Sequence, residues 1–218
     1  MVQYQVTEII PTIQGEGLHA GWPCVILRFS GCNLWASPTE PSPVCPWCDT
    51  PQMHQGHVMD MEHVVYKVMG YKHSFRNNNN VGLVITGGEP LLQLTDDLLW
   101  QLTGMFSWID IETNGTVLPK FDKYRYEGVV YFSVAPKVRK IVCEPDWIKV
   151  LIPDKVDLLE YCNERYPYCP VYVQPVDPLN MDEGSEEAYQ SNVDKCVKLV
   201  QERGYRLSIQ VHKIISLP

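Results

Sequence analysis

The stretch Gly82-Leu83-Val84-Ile85-Thr86-Gly87-Gly88-Glu89-Pro90 decides the fold class. Its first half is apolar and β-branched, which predicts a buried strand. The glycine pair and the proline predict a tight turn, and a helix is expected to begin close behind it. A strand, a turn and a helix in this order form one βα unit of a parallel sheet.

Similar units recur along the whole chain. Apolar runs predict strands at residues 25–29, 82–86, 108–113, 129–133, 147–151, 171–173 and 207–211. Helical spacing predicts helices at residues 61–71, 91–105, 156–165 and 191–203. We therefore expect an α/β protein with a mainly parallel sheet that is covered on both faces, as in a barrel or partial barrel. No repeat or linker divides the chain, so residues 1–218 are expected to form a single domain.

Composition narrows the classes of partner. The chain has 218 residues, of which 45% are apolar and 20% charged, as in ordinary globular proteins. Its net charge of -8 has the wrong sign for coating a phosphate backbone, so a small molecule or a protein is the expected partner, not a nucleic acid. No apolar run reaches the roughly 18 residues of a membrane span, and the first residues lack a basic and apolar leader. We expect no membrane association and a cytoplasmic protein.

Three of the eight cysteines show a metal-binding spacing. Cys32, Cys45 and Cys48 form C-x12-C-x2-C in a loop that directly follows a predicted strand. Three thiolates on one loop can hold a single metal centre. One interpretation is a structural zinc site, with a fourth ligand drawn from Cys24, His54 or His57; another is a set of inert thiols.

The spacer between the last two cysteines argues against zinc. It contains Pro46 and Trp47, and no fourth ligand lies at the paired spacing of a zinc ribbon or finger. A [4Fe-4S] cluster held by three cysteines would instead leave one iron open to an external molecule. The cysteine loop therefore favours a coenzyme site.

The cysteine triad, the following Asp49-Thr50 and the Gly87-Gly88-Glu89-Pro90 turn together resemble the radical S-adenosylmethionine enzymes. The first two cysteines are usually separated by three residues in that superfamily and here by twelve. Such departures occur in one branch, the 7-carboxy-7-deazaguanine synthase family, which other motifs of this chain resemble in order. These motifs are Gln14-Gly15-Glu16-Gly17, Arg28, Glu112-Thr113-Asn114-Gly115, Ser133 with Pro136-Lys137, Gln174-Pro175 and Gln210-Val211-His212-Lys213.

This resemblance implies an incomplete (β/α) barrel and a carbon-nitrogen lyase of 7-deazapurine biosynthesis, of the queuosine type. The implied reaction contracts 6-carboxy-5,6,7,8-tetrahydropterin to 7-carboxy-7-deazaguanine with loss of ammonia. The implied cofactors are a [4Fe-4S] cluster, S-adenosylmethionine and Mg2+, and the implied partners are a flavodoxin-like electron donor and a second copy of the chain. Two alternatives remain open: a radical activase acting on a protein glycine, and a zinc-stabilised binding module without catalysis.

The resemblance also implies a role for particular residues. The cluster ligands would be Cys32, Cys45 and Cys48, and Thr50 would help to bind Mg2+. The coenzyme would contact Gly87, Gly88, Glu89, Glu112, Asn114, Ser133, Lys137 and Gln174. The substrate would contact Gln14, Glu16, Arg28, His212 and the terminal carboxylate of Pro218. These residue types suit those ligands, because Gln and Glu can bind an amide-like pterin edge and Arg can bind a carboxylate in bidentate fashion. Plain turns and solvent-facing strand ends are the structural alternatives.

Overall fold

A nine-stranded sheet organises the part of the chain that the computed structural model describes, which is residues 2–35, 42–48, 56–178 and 184–217. Its strands are β1 (Gln3–Ile13), β2 (Pro23–Phe29), β3 (His57–Asp60), β4 (Gly82–Gly87), β5 (Ile109–Thr113), β6 (Val130–Val134), β7 (Trp147–Ile152), β8 (Val171–Pro175) and β9 (Arg206–Leu207). Their order across the sheet is β3-β1-β2-β4-β5-β6-β7-β8-β9. Every neighbouring pair from β2 to β9 is parallel, so the predicted mainly parallel sheet is confirmed.

The sheet is open, as the predicted incomplete barrel requires. Its order is linear, with β3 and β9 at the two edges. Strand β1 runs antiparallel to both β2 and β3. Strands β1 and β3 were not predicted, although β1 begins with exposed Gln3 and Gln5 alternating with buried Tyr4 and Val6. That period of two is a strand signal that a search for continuous apolar runs passes over.

Five α-helices accompany the strands among the described residues: α1 (Met61–Ser74), α2 (Asp96–Thr103), α3 (Leu158–Arg165), α4 (Glu186–Arg203) and α5 (Val211–Ile214). The main core lies between the sheet and the longer helices, where Val64, Leu98 and Leu159 pack with strand residues such as Leu27 and Phe132. Burying each such side chain contributes about 1.5–3 kcal/mol. No helix in these described ranges is both long enough and apolar enough to cross a bilayer.

Local capping explains where several helices begin and end. The Asp60 side chain accepts from the His63 N–H at the start of α1, and Thr95 and Ser185 cap α2 and α4 in the same way. Each such N-cap contributes about 1 kcal/mol. Helix α4 ends at Gly204, whose φ of 72° lies in the left-handed region that glycine adopts readily.

Three predicted elements are wrong in part. The helix predicted at residues 91–105 is a short 3-10 helix, Pro90–Leu92, followed by α2, because Thr95 caps a new helix instead of continuing the first. The strand predicted at residues 207–211 is limited to β9, Arg206–Leu207. Beyond it the chain turns into α5, because the Val211 N–H donates to Gly15 O at 3.1 Å instead of pairing with β8. The helix predicted at residues 191–203 begins earlier, at Glu186.

Candidate active site

A cavity of about 420 Å³ opens at the carboxyl ends of the parallel strands, where ligands of open α/β sheets usually bind. Among the predicted cluster and coenzyme residues, its wall includes Cys32, Cys45, Cys48, Gly87, Gly88, Glu112, Asn114, Lys137 and Gln174. Among the predicted substrate residues, it includes Gln14, Glu16, Arg28 and His212. Glu89 and Ser133 are fully buried behind this wall, and Thr50 and Pro218 lie outside the described residues.

The three cysteines come from two segments that meet at the cavity. Cys32 follows β2, and Cys45 and Cys48 lie on a turn in which the Cys48 N–H donates to Cys45 O at 3.2 Å. The pKa of Cys45 is raised to about 11, chiefly by burial; Lys137 acts in the opposite direction, and neighbouring Cys48 and Cys32 contribute to the rise. All three cysteines line the same cavity. A bound metal centre would supply the positive charge that stabilises them as thiolates.

The cysteines fit an iron-sulfur cluster by donor type, since thiolates are its usual protein ligands. The Asn114 Nδ2 lies 3.9 Å from Cys32 Sγ, where it can donate to a sulfur. Within the described residues, no three or more His, Cys, Asp and Glu side chains are grouped closely enough to hold a single metal ion.

The glycine pair after β4 packs against the chain that leads to Cys32. A Cβ at Gly88 would lie 2.2 Å from Gly31 O, and a Cβ at Gly87, whose φ is 139°, would lie 2.0 Å from Phe29 O. The backbone N–H of Glu89 also donates to Gly31 O at 2.9 Å. These glycines therefore bring the turn into direct contact with the first cysteine loop.

Glu89 connects the turn after β4 with the end of β5. Its buried carboxylate accepts from the Thr113 hydroxyl at 2.8 Å, the Asn114 N–H at 2.8 Å and the Leu91 N–H at 3.0 Å. Burial raises the pKa of this carboxyl, whereas the three donors act in the opposite direction. The Glu89 side chain thus holds the two turns that flank the cavity, and its predicted contact with the coenzyme stays a prediction.

Ser133 lies beside Glu112 in the parallel register of β5 and β6. It is completely buried, and its Oγ finds no hydrogen-bond partner within the described part of the chain. A buried hydroxyl without a partner is unfavourable. Ser133 lies behind the cavity wall, however, and its predicted contact with the coenzyme stays a prediction. Lys137 lies on the wall itself, with its Nζ 5.2 Å from the centre of the Trp47 ring.

The predicted substrate residues Gln14 and Glu16 belong to a buried polar network. The Glu16 N–H donates to Gln14 Oε1 at 3.2 Å, and Gln14 Nε2 points between Asp110 and Glu112 at 3.5 and 3.4 Å. The Glu16 carboxylate forms an ion pair with Lys149 and accepts from Gln174 Nε2 at 3.0 Å. Gln174, a predicted coenzyme residue, therefore contacts Glu16, a predicted substrate residue, and also lines the cavity.

Arg28 and His212 approach the cavity from two other sides. Arg28 Nε donates to Glu8 Oε1 at 2.6 Å, across the antiparallel pair of β1 and β2. His212 on α5 packs against Gly15, so the loop after β1 and the C-terminal helix form one wall.

Three residues near the cavity were not predicted from the sequence: Lys149, Asp110 and His19. Lys149 lies in the otherwise apolar strand β7, and a lone charge in such a strand is the signal that could have identified it. Asp110 is fully buried, and its Oδ1 lies 2.9 Å from His19 Nδ1. The His19 ring stacks on Trp108 with centroids 4.1 Å apart. The partners in each pair are distant in sequence, which local patterns do not show.

An open, mainly parallel α/β sheet whose carboxyl edge carries three cysteines beside a Gly-Gly-Glu-Pro turn defines a radical S-adenosylmethionine enzyme. No family model matches the chain. It is, however, 35% identical to the 7-carboxy-7-deazaguanine synthase of Burkholderia multivorans and 34% identical to that of Nitratidesulfovibrio vulgaris, over 99% of each chain. The chain thus belongs to the 7-carboxy-7-deazaguanine synthase family, whose members use S-adenosylmethionine and an iron-sulfur cluster.

A solved structure shows the same fold. The crystal structure of QueE from Escherichia coli superposes with a TM-score of 0.66 at 22% identity, covering 95% of this chain and 94% of that one. The predicted incomplete barrel is confirmed. Family membership does not favour the protein-glycine activase or the zinc-stabilised binding module.

Proposed function

We propose that this chain converts 6-carboxy-5,6,7,8-tetrahydropterin into 7-carboxy-7-deazaguanine with loss of ammonia. The observation that carries this function is the single cavity in which Cys32, Cys45 and Cys48 share one wall with Gln14 and Glu16. A cluster site and a polar substrate site in one cavity would hold the coenzyme and the substrate next to each other.

The cavity residues would divide into three groups. Cys32, Cys45 and Cys48 would bind the cluster, and Thr50 would help to hold Mg2+ with its oxygen. Coenzyme contacts would come from Gly87, Gly88, Glu89, Glu112, Asn114, Ser133, Lys137 and Gln174. Substrate contacts would come from Gln14, Glu16, Arg28, His212 and the Pro218 carboxylate.

The cluster and S-adenosylmethionine, when bound, supply an electron and a 5'-deoxyadenosyl radical that removes a hydrogen atom from carbon. The chain's own residues bind and orient the substrate. Glu16 presents a carboxylate to N–H donors of the pterin ring, and Arg28, aligned by Glu8, presents N–H groups to the substrate carboxylate.

The remaining features belong to the same proposal. The chain would act as a single-domain homodimer in the cytoplasm. A flavodoxin-like protein would deliver electrons, and Mg2+ would stabilise the substrate carboxylate.

Anaerobic reconstitution tests this function. The protein with iron, sulfide, S-adenosylmethionine, Mg2+ and a reductant should be brown, contain about four irons per chain and release 7-carboxy-7-deazaguanine from the carboxypterin. Alanine at Cys32, Cys45 or Cys48 should abolish cluster binding and turnover. The matched control is Cys196→Ala, because Cys196 is buried in the main core away from the cavity. Full turnover by any of the three variants would refute the ligand assignment, and colourless protein containing zinc would refute the function.

A further inference from the structure

Lys149 occupies an unusual position for a charged side chain. All six residues of β7 are buried, and Lys149 is the charged one, with 7% of its surface exposed. It lines the cavity, and its Nζ contacts Glu16 Oε2. A lysine this buried requires a charge partner, because desolvating an unpaired ammonium is strongly unfavourable.

Glu16 is held from a second direction as well. Gln174 Nε2 donates to Glu16 Oε1 at 3.0 Å, and the Ser208 hydroxyl donates to Gln174 Oε1 at 2.8 Å, which fixes the orientation of the amide. The Gly17 N–H donates to Ser208 Oγ at 3.3 Å. These hydrogen bonds link Glu16 through Gln174 and Ser208 to Gly17, the next residue in the chain. Together with Lys149, they fix the position of the Glu16 carboxylate.

Glu112, which the sequence predicts as a coenzyme contact, brings a second carboxylate to the Glu16 side of the cavity, because it is hydrogen-bonded to Gln14. Its oxygens accept from Gln14 Nε2 at 3.4 Å and from the Thr86 hydroxyl at 3.2 Å. Burial raises the pKa of Glu112; Lys149 is the charge that lowers it most, while neighbouring Glu16 and Asp110 raise it.

Two other basic side chains near these carboxylates have partners of their own. Arg28 is paired with Glu8 at 2.6 Å, and His19 is paired with Asp110 at 2.9 Å. Lys149 is therefore placed to compensate Glu16 and Glu112 together.

We propose that Lys149 is a positioning residue: it orients Glu16 and balances the charge of Glu16 and Glu112, so that both carboxylates can accept hydrogen bonds from an N–H-rich edge of the substrate. Such an edge, with an amino group beside a ring N–H, is that of a 2-amino-4-oxopyrimidine. The inference rests on the proposed function for the identity of this substrate. The charge balance itself is a property of the chain alone.

Steady-state kinetics of the reconstituted enzyme test the positioning role. Lys149→Met should raise the KM for the carboxypterin at least about tenfold while kcat changes less than about threefold, because a binding interaction is lost. Lys149→Arg should restore most of the loss, and the KM for S-adenosylmethionine should stay unchanged. The control is Lys198→Met, whose side chain is 72% exposed on α4.

A double-mutant cycle separates charge balance from general damage to the fold. If Lys149 acts through Glu16, Lys149→Met in a Glu16→Gln background should change the KM by less than about threefold. An equal, large effect in both backgrounds would overturn the proposal. So would a fall in kcat alone, which would indicate a chemical role, or a rise in the KM for S-adenosylmethionine.

Infrared spectroscopy of the ligand-free protein provides a readout that does not depend on turnover. At neutral pH, Lys149→Met should show the carbonyl band of a protonated carboxylic acid, and the wild type and the Glu16→Gln/Lys149→Met double variant should lack it. Absence of the band from Lys149→Met would overturn the charge balance. If the wild type does not convert the carboxypterin but the band appears as expected, the proposed substrate fails and the role of Lys149 stands.

Discussion

His212 packs so closely against Gly15 that a Cβ at Gly15 would lie 1.9 Å from the imidazole Nδ1. The Val211 N–H donates to Gly15 O at 3.1 Å and holds the helix in this position. The glycine between Gln14 and Glu16 therefore makes room for a residue near the other end of the chain.

Gly15→Ala should displace His212 without unfolding the protein. The backbone at Gly15 is outside the left-handed region, so alanine is tolerated there and the new methyl group acts only on the imidazole. We expect the KM for the carboxypterin to rise roughly tenfold, as for the loss of one charged or polar contact, with little change in Tm. Gly70→Ala is the control, because nothing lies within 4 Å of its Cβ position in α1; unchanged binding by Gly15→Ala would show that His212 makes no contact with the substrate.

Gly17→Ala should destabilise the fold itself. Gly17 has a φ of 63°, and a Cβ there would lie 2.0 Å from the Trp147 ring. Left-handed strain and ring displacement together should lower the free energy of unfolding by roughly 2–4 kcal/mol, measured by urea denaturation. Gly21→Ala separates the two causes, since Gly21 has a φ of 89° but open space around it. If the free energy of unfolding falls by the same amount in both variants, the contact with Trp147 does not contribute to the loss of stability.

Glu89→Gln should loosen the two turns that flank the cavity. An amide has one acceptor oxygen, whereas the Glu89 carboxylate accepts from Leu91, Thr113 and Asn114 with two. The amide NH2 would face a backbone N–H, so we expect a loss of about 1–3 kcal/mol in thermal or chemical unfolding. The exposed Glu164→Gln on α3 should change stability by less than about 0.5 kcal/mol. If Glu89→Gln has the same free energy of unfolding as this control, Glu89 does not hold the two turns together.

Glu112→Gln should stabilise the ligand-free protein at neutral pH while weakening substrate binding. Burial raises the pKa of Glu112 above its ordinary 4.5, so the folded state binds the proton more tightly than the unfolded state. The charged Glu112 destabilises the folded state fully above the raised pKa and not at all below 4.5. The free energy of unfolding of the wild type should therefore fall as the pH rises from 4.5 to the raised pKa. The Tm advantage of Glu112→Gln should accordingly be largest at pH 7–8 and shrink towards pH 4.5. A variant less stable than the wild type at pH 8 would contradict this assignment.

The sequence predicted most of the parallel strands and the place where polar residues would meet. Strand β4 and its glycine turn were predicted from local composition alone, because buried parallel strands are apolar on both faces. Because the carboxyl ends of parallel strands lie at the same edge of the sheet, residues that follow separate strands meet at one cavity. Cys32, Glu112 and Gln174 do line it together.

Long-range pairs were beyond this reasoning. Lys149 contacts Glu16 and Asp110 contacts His19, and neither pair has a sequence spacing that signals contact. The turn into α5 was missed for the same reason, since it depends on a hydrogen bond from Val211 to Gly15. Glu89 shows a different limit: its motif suggests a ligand, while three internal donors occupy its carboxylate.

The bond between Val211 and Gly15 joins positions separated by nearly the whole length of the chain. Closing so large a loop is entropically unfavourable until the intervening strands have paired. The contact between α5 and the loop after β1 should therefore form late in folding, after the strands of the sheet have paired. A nascent chain that has not yet released α5 would carry Cys32, Cys45 and Cys48 on a formed sheet, but it would lack the wall that α5 and the loop after β1 form together.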